Sequence, residues 1–238
     1  MASQIQIGDL TIEVTQKDIK NVHLSVHPPL GRVSIAAPRH LSVSAIRAFA
    51  IGKLSWIRQQ QQKLQDQDRE TPREYLNRES HYVWGRRCLL KIVEHDGPPI
   101  VEWRHHRLIL TVRPGMDEGR RADVVEAWYR DQLREEATPL IAEWERRLGV
   151  RVGRVFIQRM KTRWGSCNPV SHAIRINTDL AKKPRECLEY ILVHEMVHLL
   201  EPTHSARFVA LMDQFLPGWE LRRDQLNRLP VRHADWVY

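Results

Sequence analysis

Alternating apolar and polar residues predict strands through much of the first half of the chain. Residues 5–15 alternate in the manner of a strand or hairpin, and Asn21–Val26 and Arg32–Ala36 read as two more strands around a Pro28-Pro29-Leu30-Gly31 turn. A helical period follows. Ile46, Phe49, Ala50, Leu54 and Ile57 share one face, with Ser42 or Ser44 as the cap and an end near Gln65. Asp66–Arg73 is polar and contains Pro72, which predicts a linker or exposed loop. Four further strands are expected at His81–Trp84, Cys88–Val93, Ile100–Trp103 and Leu108–Val112.

The period then changes. Asp117–Leu148 reads as a long amphipathic helix ended by Gly149, with Pro139 a place for a kink. Residues 153–159, Arg163–Cys167 and Ala173–Ile176 return to strand patterns, the last two turning at Asn168-Pro169. Ala206–Phe215 and Glu220–Arg228 predict short final helices. No internal repeat is detectable. The pattern is that of an α+β protein: a β-rich region over 1–115 with one helix at about 42–65, then a second region over 116–238.

Within the second region lies a strongly apolar run containing Leu188, Ile191, Leu192, Val193, Met196, Val197, Leu199 and Leu200, which predicts a buried helix. It carries His194-Glu195-Met196-Val197-His198, an H-E-x-x-H pattern. Residues four apart share a helical face, so His194 and His198 can present two imidazoles to one ion. Catalytic zinc takes three protein ligands and keeps a position for water, and Glu195 is placed to take that water's proton. Imidazoles and a carboxylate in an apolar helix are costly unless paired or metal-bound.

A third ligand is needed, and His204 lies six residues past His198. Requiring it makes the pattern roughly twentyfold rarer by chance than the bare motif. Pro202 bends the chain and favours His204 over Glu201, the rival one turn past His198. The spacing equals that of the metzincin motif, but Glu201 replaces its glycine and no Met-turn follows, so that class is not assigned.

Charge adds one feature. The net charge is +8, and from Arg151 to Thr178 there are six basic residues and no acidic one. Such a stretch is either an ordinary solvated surface or an attraction for nucleic acid or an acidic substrate. The 3 cysteines, Cys88, Cys167 and Cys187, form no C-x-x-C pair and read as small buried hydrophobes. With no signal peptide in view, a cytoplasmic setting is expected, and no run approaches the length of a membrane helix. His105-His106 has no third partner at ligand spacing and reads as a surface turn.

Arg163-Trp164-Gly165-Ser166-Cys167, Ile176-Asn177, the Leu180–Pro184 approach and the H-E-x-x-H-x5-H run followed by Ser205 and Phe208 together resemble the YgjP-like (DUF45) zinc metallopeptidases, a family similar to the WLM and SprT-like proteases. The resemblance spans about residues 20–230. It implies a minimal zincin-type domain over 116–238, made of a long helix, a small mixed sheet, the H-E-x-x-H helix and short C-terminal helices. It also implies Zn2+ held by His194, His198 and His204, with Glu195 as general base, acting on protein or peptide substrates. Val209 departs from the family, where many members carry Trp.

Three residues are open as oxyanion partner: Tyr190, Arg163 and His172. The Arg163–Cys167 strand is a candidate edge for a substrate backbone. Two rival functions remain: a nucleic-acid-associated protein whose zinc site is structural or vestigial, and a metal-dependent hydrolase of a non-peptide amide.

Overall fold

The computed structural model describes residues 2–27, 31–66, 70–161 and 163–230. The chain is α+β, with three small sheets and several helices among the described residues. It divides into two compact units, one ending at Glu70 and the other beginning at Thr71.

The first unit holds β1 (Ala2–Ile7), β2 (Leu10–Lys17), β3 (His23–His27) and β4 (Arg32–Pro38) in the order β1-β2-β4-β3. The outer pairs are antiparallel and the central β2–β4 pair is parallel. Alternation puts Ile5, Ile12, Val14, Val33 and Ile35 on the buried face. They meet Ile46, Ala50 and Ile57 from the helices that follow. The single helix expected at 42–65 is two: α1 (Val43–Gly52), capped by the Ser42 side chain, and α2 (Leu54–Asp66). The break lies at Lys53, whose N–H turns back to the carbonyls of Ala50 and Ile51 beside the poor helix former Gly52. The expected Pro28–Leu30 turn and the middle of the 66–73 linker lie outside the described residues.

The second unit begins with β5 (Ser80–Val83), β6 (Arg86–Glu94), β7 (Ile100–Arg104) and β8 (Arg107–Val112), in the order β5-β6-β8-β7. Again the outer pairs are antiparallel and the central pair is parallel. The chain thus repeats a topology that leaves no legible repeat in its sequence. The region boundary expected at 115/116 is not where the compact units separate. Val83, Cys88, Leu90, Leu108, Leu110 and Val112 of this sheet share one core with α3 (Glu118–Leu148) and all that follows.

Helix α3 begins at the Asp117 cap and ends at Gly149, whose φ of 67° suits a residue without Cβ. It continues as one element across Pro139; the hydroxyl of the preceding residue, Thr138, donates to the Arg134 carbonyl one turn back. Next come β9 (Arg154–Gln158), β10 (Gly165–Asn168) and β11 (Ala173–Asn177), in the order β10-β11-β9. A 3-10 turn (Thr178–Lys182) leads to α4 (Arg185–Val197), followed by α5 (Ala206–Phe215) and α6 (Trp219–Arg228).

The β5–β6 turn holds that 3-10 approach in place. The Trp84 and Gly85 N–H groups donate to the carbonyls of Ala181 (2.8 Å) and Lys182 (3.2 Å). Gly85 has φ +76°, and a Cβ there would lie 2.9 Å from Pro184 Cγ. The second sheet is therefore seated directly on the segment that feeds α4.

Candidate metal centre

Helix α4 is buried almost throughout, from Cys187 to Val197. Glu189 fixes it to its neighbours, accepting from Trp144 Nε1 of α3 (3.3 Å) and Arg222 of α6 (2.6 Å). The helix stops at Val197, and Leu199, Leu200 and Glu201 close a final turn onto Met196 and Val197. Beyond Pro202 the chain reverses. Ser205 caps α5 by accepting from the Phe208 N–H (3.3 Å), so His204 stands immediately before a helix start.

These elements bring His194, His198 and His204 together, with one ring nitrogen from each lying within 4.8 Å of the others. All three rings contact Phe208, at centroid distances of 4.9, 4.7 and 4.8 Å. His194 Nε2 and His204 Nε2 are 3.0 Å apart. Two imidazole nitrogens on one tetrahedral zinc lie roughly 3.3 Å apart, given zinc–nitrogen bonds of about 2.0–2.1 Å. Two such lone pairs facing each other require a shared proton or a shared cation, and a cation serves the third imidazole as well. Burial, and then the neighbouring imidazoles, push His194 down to about 4; burial also lowers His198. Both are therefore neutral at pH 7, as ligation requires. The residues present fit a metal with a preference for imidazole donors.

The rival ligand Glu201 is turned elsewhere. Its carboxylate accepts from the Thr203 hydroxyl (2.8 Å), which holds its pKa below the usual range. Its contribution to the site is its carbonyl, which accepts from His198 Nδ1 at 3.1 Å and leaves Nε2 free for a metal.

Glu195 is buried at 6% exposure, and that burial pushes its carboxyl up to about 7 against the pull of the Arg163 charge. It lies against the start of β10. A Cβ on Gly165 would come within 2.7 Å of Glu195 Oε1 and 2.9 Å of Ile191 Cγ2. Glycine is required for that approach, a role the sequence pattern did not reveal. Asn177, part of the motif that carries the family resemblance, caps the 3-10 approach to α4 and makes further contacts that the sequence pattern did not reveal. Buried at 5% exposure, it donates through Nδ2 to the carbonyls of Met160 (3.0 Å) and Arg163 (2.8 Å). Its own N–H donates to the Trp164 carbonyl. The loop before β10 is thereby fixed to β11.

The three oxyanion candidates separate. Tyr190 packs edge-on to His194, with ring centroids 5.8 Å apart, and stacks on Trp219, with burial raising its hydroxyl to about 12. Arg163 precedes Trp164-Gly165, within electrostatic reach of Glu195. His172 lies in the β10–β11 turn with Nδ1 on the Arg151 carbonyl, at the hairpin end away from Gly165. His105 and His106 are exposed in the β7–β8 turn, apart from the cluster. Cys88 and Cys187 are buried and Cys167 half-buried, all free thiols raised to about 11 chiefly by burial.

The chain matches the YgjP-like metallopeptidase domain over residues 20–229. It belongs to that family. Among solved structures, this YgjP-like metallopeptidase is similar to the metallopeptidase zymogen abylysin of Pyrococcus abyssi, at 24% identity and a TM-score of 0.35, over 37% of this chain and 89% of that one. It is also similar to the zymogen jannalysin of Methanocaldococcus jannaschii, at 20% identity and a TM-score of 0.30, over 41% and 84%. Scores this low carry no structural argument. No curated protein matches. Among the described residues, no helix of this YgjP-like metallopeptidase is long and apolar enough to cross a membrane.

Proposed function

We propose that this metallopeptidase is a zinc peptidase in which His194, His198 and His204 hold the metal and Glu195 is the general base. The observation that carries this reading is the gathering of three imidazoles beside a buried carboxyl raised to about 7. Zinc held there would polarise the scissile carbonyl and acidify a water. Glu195 would accept that water's proton on its carboxylate and deliver it to the leaving amine. The burial that raises this carboxyl favours its taking up a proton. Among the described residues, β10 pairs with β11 on one side only, so its other edge is open to the backbone of a peptide laid as an added strand. Arg163 and Tyr190 remain the candidates for steadying the developing oxyanion. Three free thiols agree with a reducing, cytoplasmic setting.

Elemental analysis combined with peptide hydrolysis tests the assignment. The wild-type protein should carry about one zinc per chain. His204→Ala should lose or weaken it. Glu195→Gln should keep the metal while hydrolysis falls by about two to four orders of magnitude. Full zinc retention in His204→Ala would move the third ligand elsewhere. Undiminished hydrolysis by Glu195→Gln would remove the general-base role.

One observation favours a second reading. Arg151, Arg154, Arg159 and Arg163 are all exposed on the acid-free stretch, as nucleic-acid association would need. Affinity for DNA that falls steeply with salt is its signature.

A further inference from the structure

We infer that Arg163 makes this site select peptides that carry an acidic side chain beside the scissile bond. The inference rests on the peptidase reading above and adds a substrate class to it.

Arg163 is exposed, yet its backbone is not loose. Its carbonyl is held by Asn177 Nδ2 at 2.8 Å, and the next carbonyl, of Trp164, is held by the Asn177 N–H at 2.9 Å. Two residues later Gly165 lies against the Glu195 carboxyl. The guanidinium is therefore carried at the start of β10, beside the proposed base, by a fixed stretch of chain. It forms no ion pair or side-chain hydrogen bond among the described residues. Other arginines around α4 are already neutralised: Arg222 by Glu189 at 2.6 Å and Arg185 by Glu136 at 2.7 Å. No carboxylate occurs between Arg151 and Thr178 to serve Arg163 locally. Glu195 feels its charge, but no hydrogen bond joins the two.

A peptide added along the free edge of β10 would run past Arg163, with alternate side chains pointing the same way. An Asp or Glu at the passing position could form a forked pair with the guanidinium, a geometry that lysine cannot match. A basic residue there would meet an uncompensated like charge.

The test uses the full-length, metal-loaded protein and a matched set of quenched fluorescent peptides bearing Glu, Gln or Lys on either side of one scissile bond. Glu should be preferred over Lys by about tenfold in kcat/KM, mostly through KM, with Gln between, as expected for one partly desolvated charge pair. Losing oxyanion stabilisation would lower hydrolysis of all three peptides alike, so the readout is their ratio: Arg163→Ala should flatten the series and Arg163→Glu should invert it, with the thermal melt unchanged because the side chain is exposed. A flat wild-type series, or a Glu preference that survives Arg163→Ala, overturns the inference while leaving the peptidase reading intact. Binding of the same peptides to Glu195→Gln by fluorescence anisotropy separates the two claims. Failure of wild-type hydrolysis together with an Arg163-dependent Glu preference in binding would sink the peptidase reading alone. Arg163-dependent binding of a single-stranded DNA oligonucleotide, with no preference among the peptides, overturns the inference in favour of a nucleic-acid partner.

Discussion

The two four-stranded sheets share strand order and pairing sense but differ in what their buried faces and turns touch. In the first, β1-β2-β4-β3 closes a core of its own with α1 and α2. In the second, β5-β6-β8-β7 is one wall of the core that also contains α4 and its motif. The strand registers make the correspondence residue by residue. Ile5 faces Ile12 in one hairpin, where His81 faces Cys88 in the other. Val14 pairs with Ile35 where Leu90 pairs with Leu108. The first hairpin turn uses Gly8 at φ +60°, and a Cβ there would meet nothing within 4 Å. The second uses Trp84 and Gly85, both at positive φ, and is wedged against Pro184. One topology thus serves as a separate body in one place and as a foundation for the helix that bears the H-E-x-x-H motif in the other. The distinction lies in the turn and one face, not in the ladder.

The largest effect that separates the sheets is a buried charge at equivalent positions. Leu108→Asp should cost about 4 kcal/mol or more and abolish metal binding, because its core is the one that carries α4. Ile35→Asp should be as damaging locally yet leave zinc per chain and the second unit's melting transition unchanged. Metal loss in Ile35→Asp would break the comparison. Next comes the third sheet. Gly165→Ala should lower kcat by about ten- to a hundredfold with zinc retained, since the methyl must displace Glu195 from its position. Wild-type kcat in that variant would show that Glu195 is placed by something else.

The turn glycines give a smaller, paired effect. Gly8→Ala should cost about 1 kcal/mol, the strain of a left-handed alanine. Gly85→Ala should cost about 2–3 kcal/mol, because Pro184 must also move, and only this variant should weaken metal affinity. Equal costs measured by denaturant unfolding would deny the second turn its special role.

The smallest effect is a pH dependence. Burial, and next the Arg73 charge, hold the His81 pKa below its ordinary value of 6.5, while Glu79 opposes them and Lys182 adds to them. Below about pH 6.5 the unfolded chain takes up a proton that the folded one refuses. Stability should therefore be greatest above that pH and decline as pH falls from there towards the lowered folded value. His81→Leu, which mimics Ile5 of the first sheet, should show a shallower decline. Identical slopes would mean that His81 is not the source.

Much of this site was legible from one stretch of sequence because its elements are local. The four-residue spacing of His194 and His198, and the bend that Pro202 forces before His204, are both properties of neighbouring residues. Gly165 was visible only as part of a motif. Its function depends on β10 lying against α4, which no local pattern encodes. Asn177 likewise acts across the chain, onto carbonyls at 160 and 163. The helix break at Lys53 was missed because the apolar face continues from Ile46 to Ile57 across it. The repeated topology was hidden because sheet order is written in backbone pairing, and the residues at matching positions, such as Ile5 and His81, have diverged in chemistry.

His204 has almost no slack. It is followed at once by the Ser205 cap, and the ring it shares with His194 and His198, Phe208, is the residue whose N–H that cap receives. At the proposed three-histidine site, capturing an ion and forming the first turn of α5 would therefore be coupled. A chelator should act on this chain as a local denaturant, loosening amide protons at 205–209 before any others in the second unit exchange.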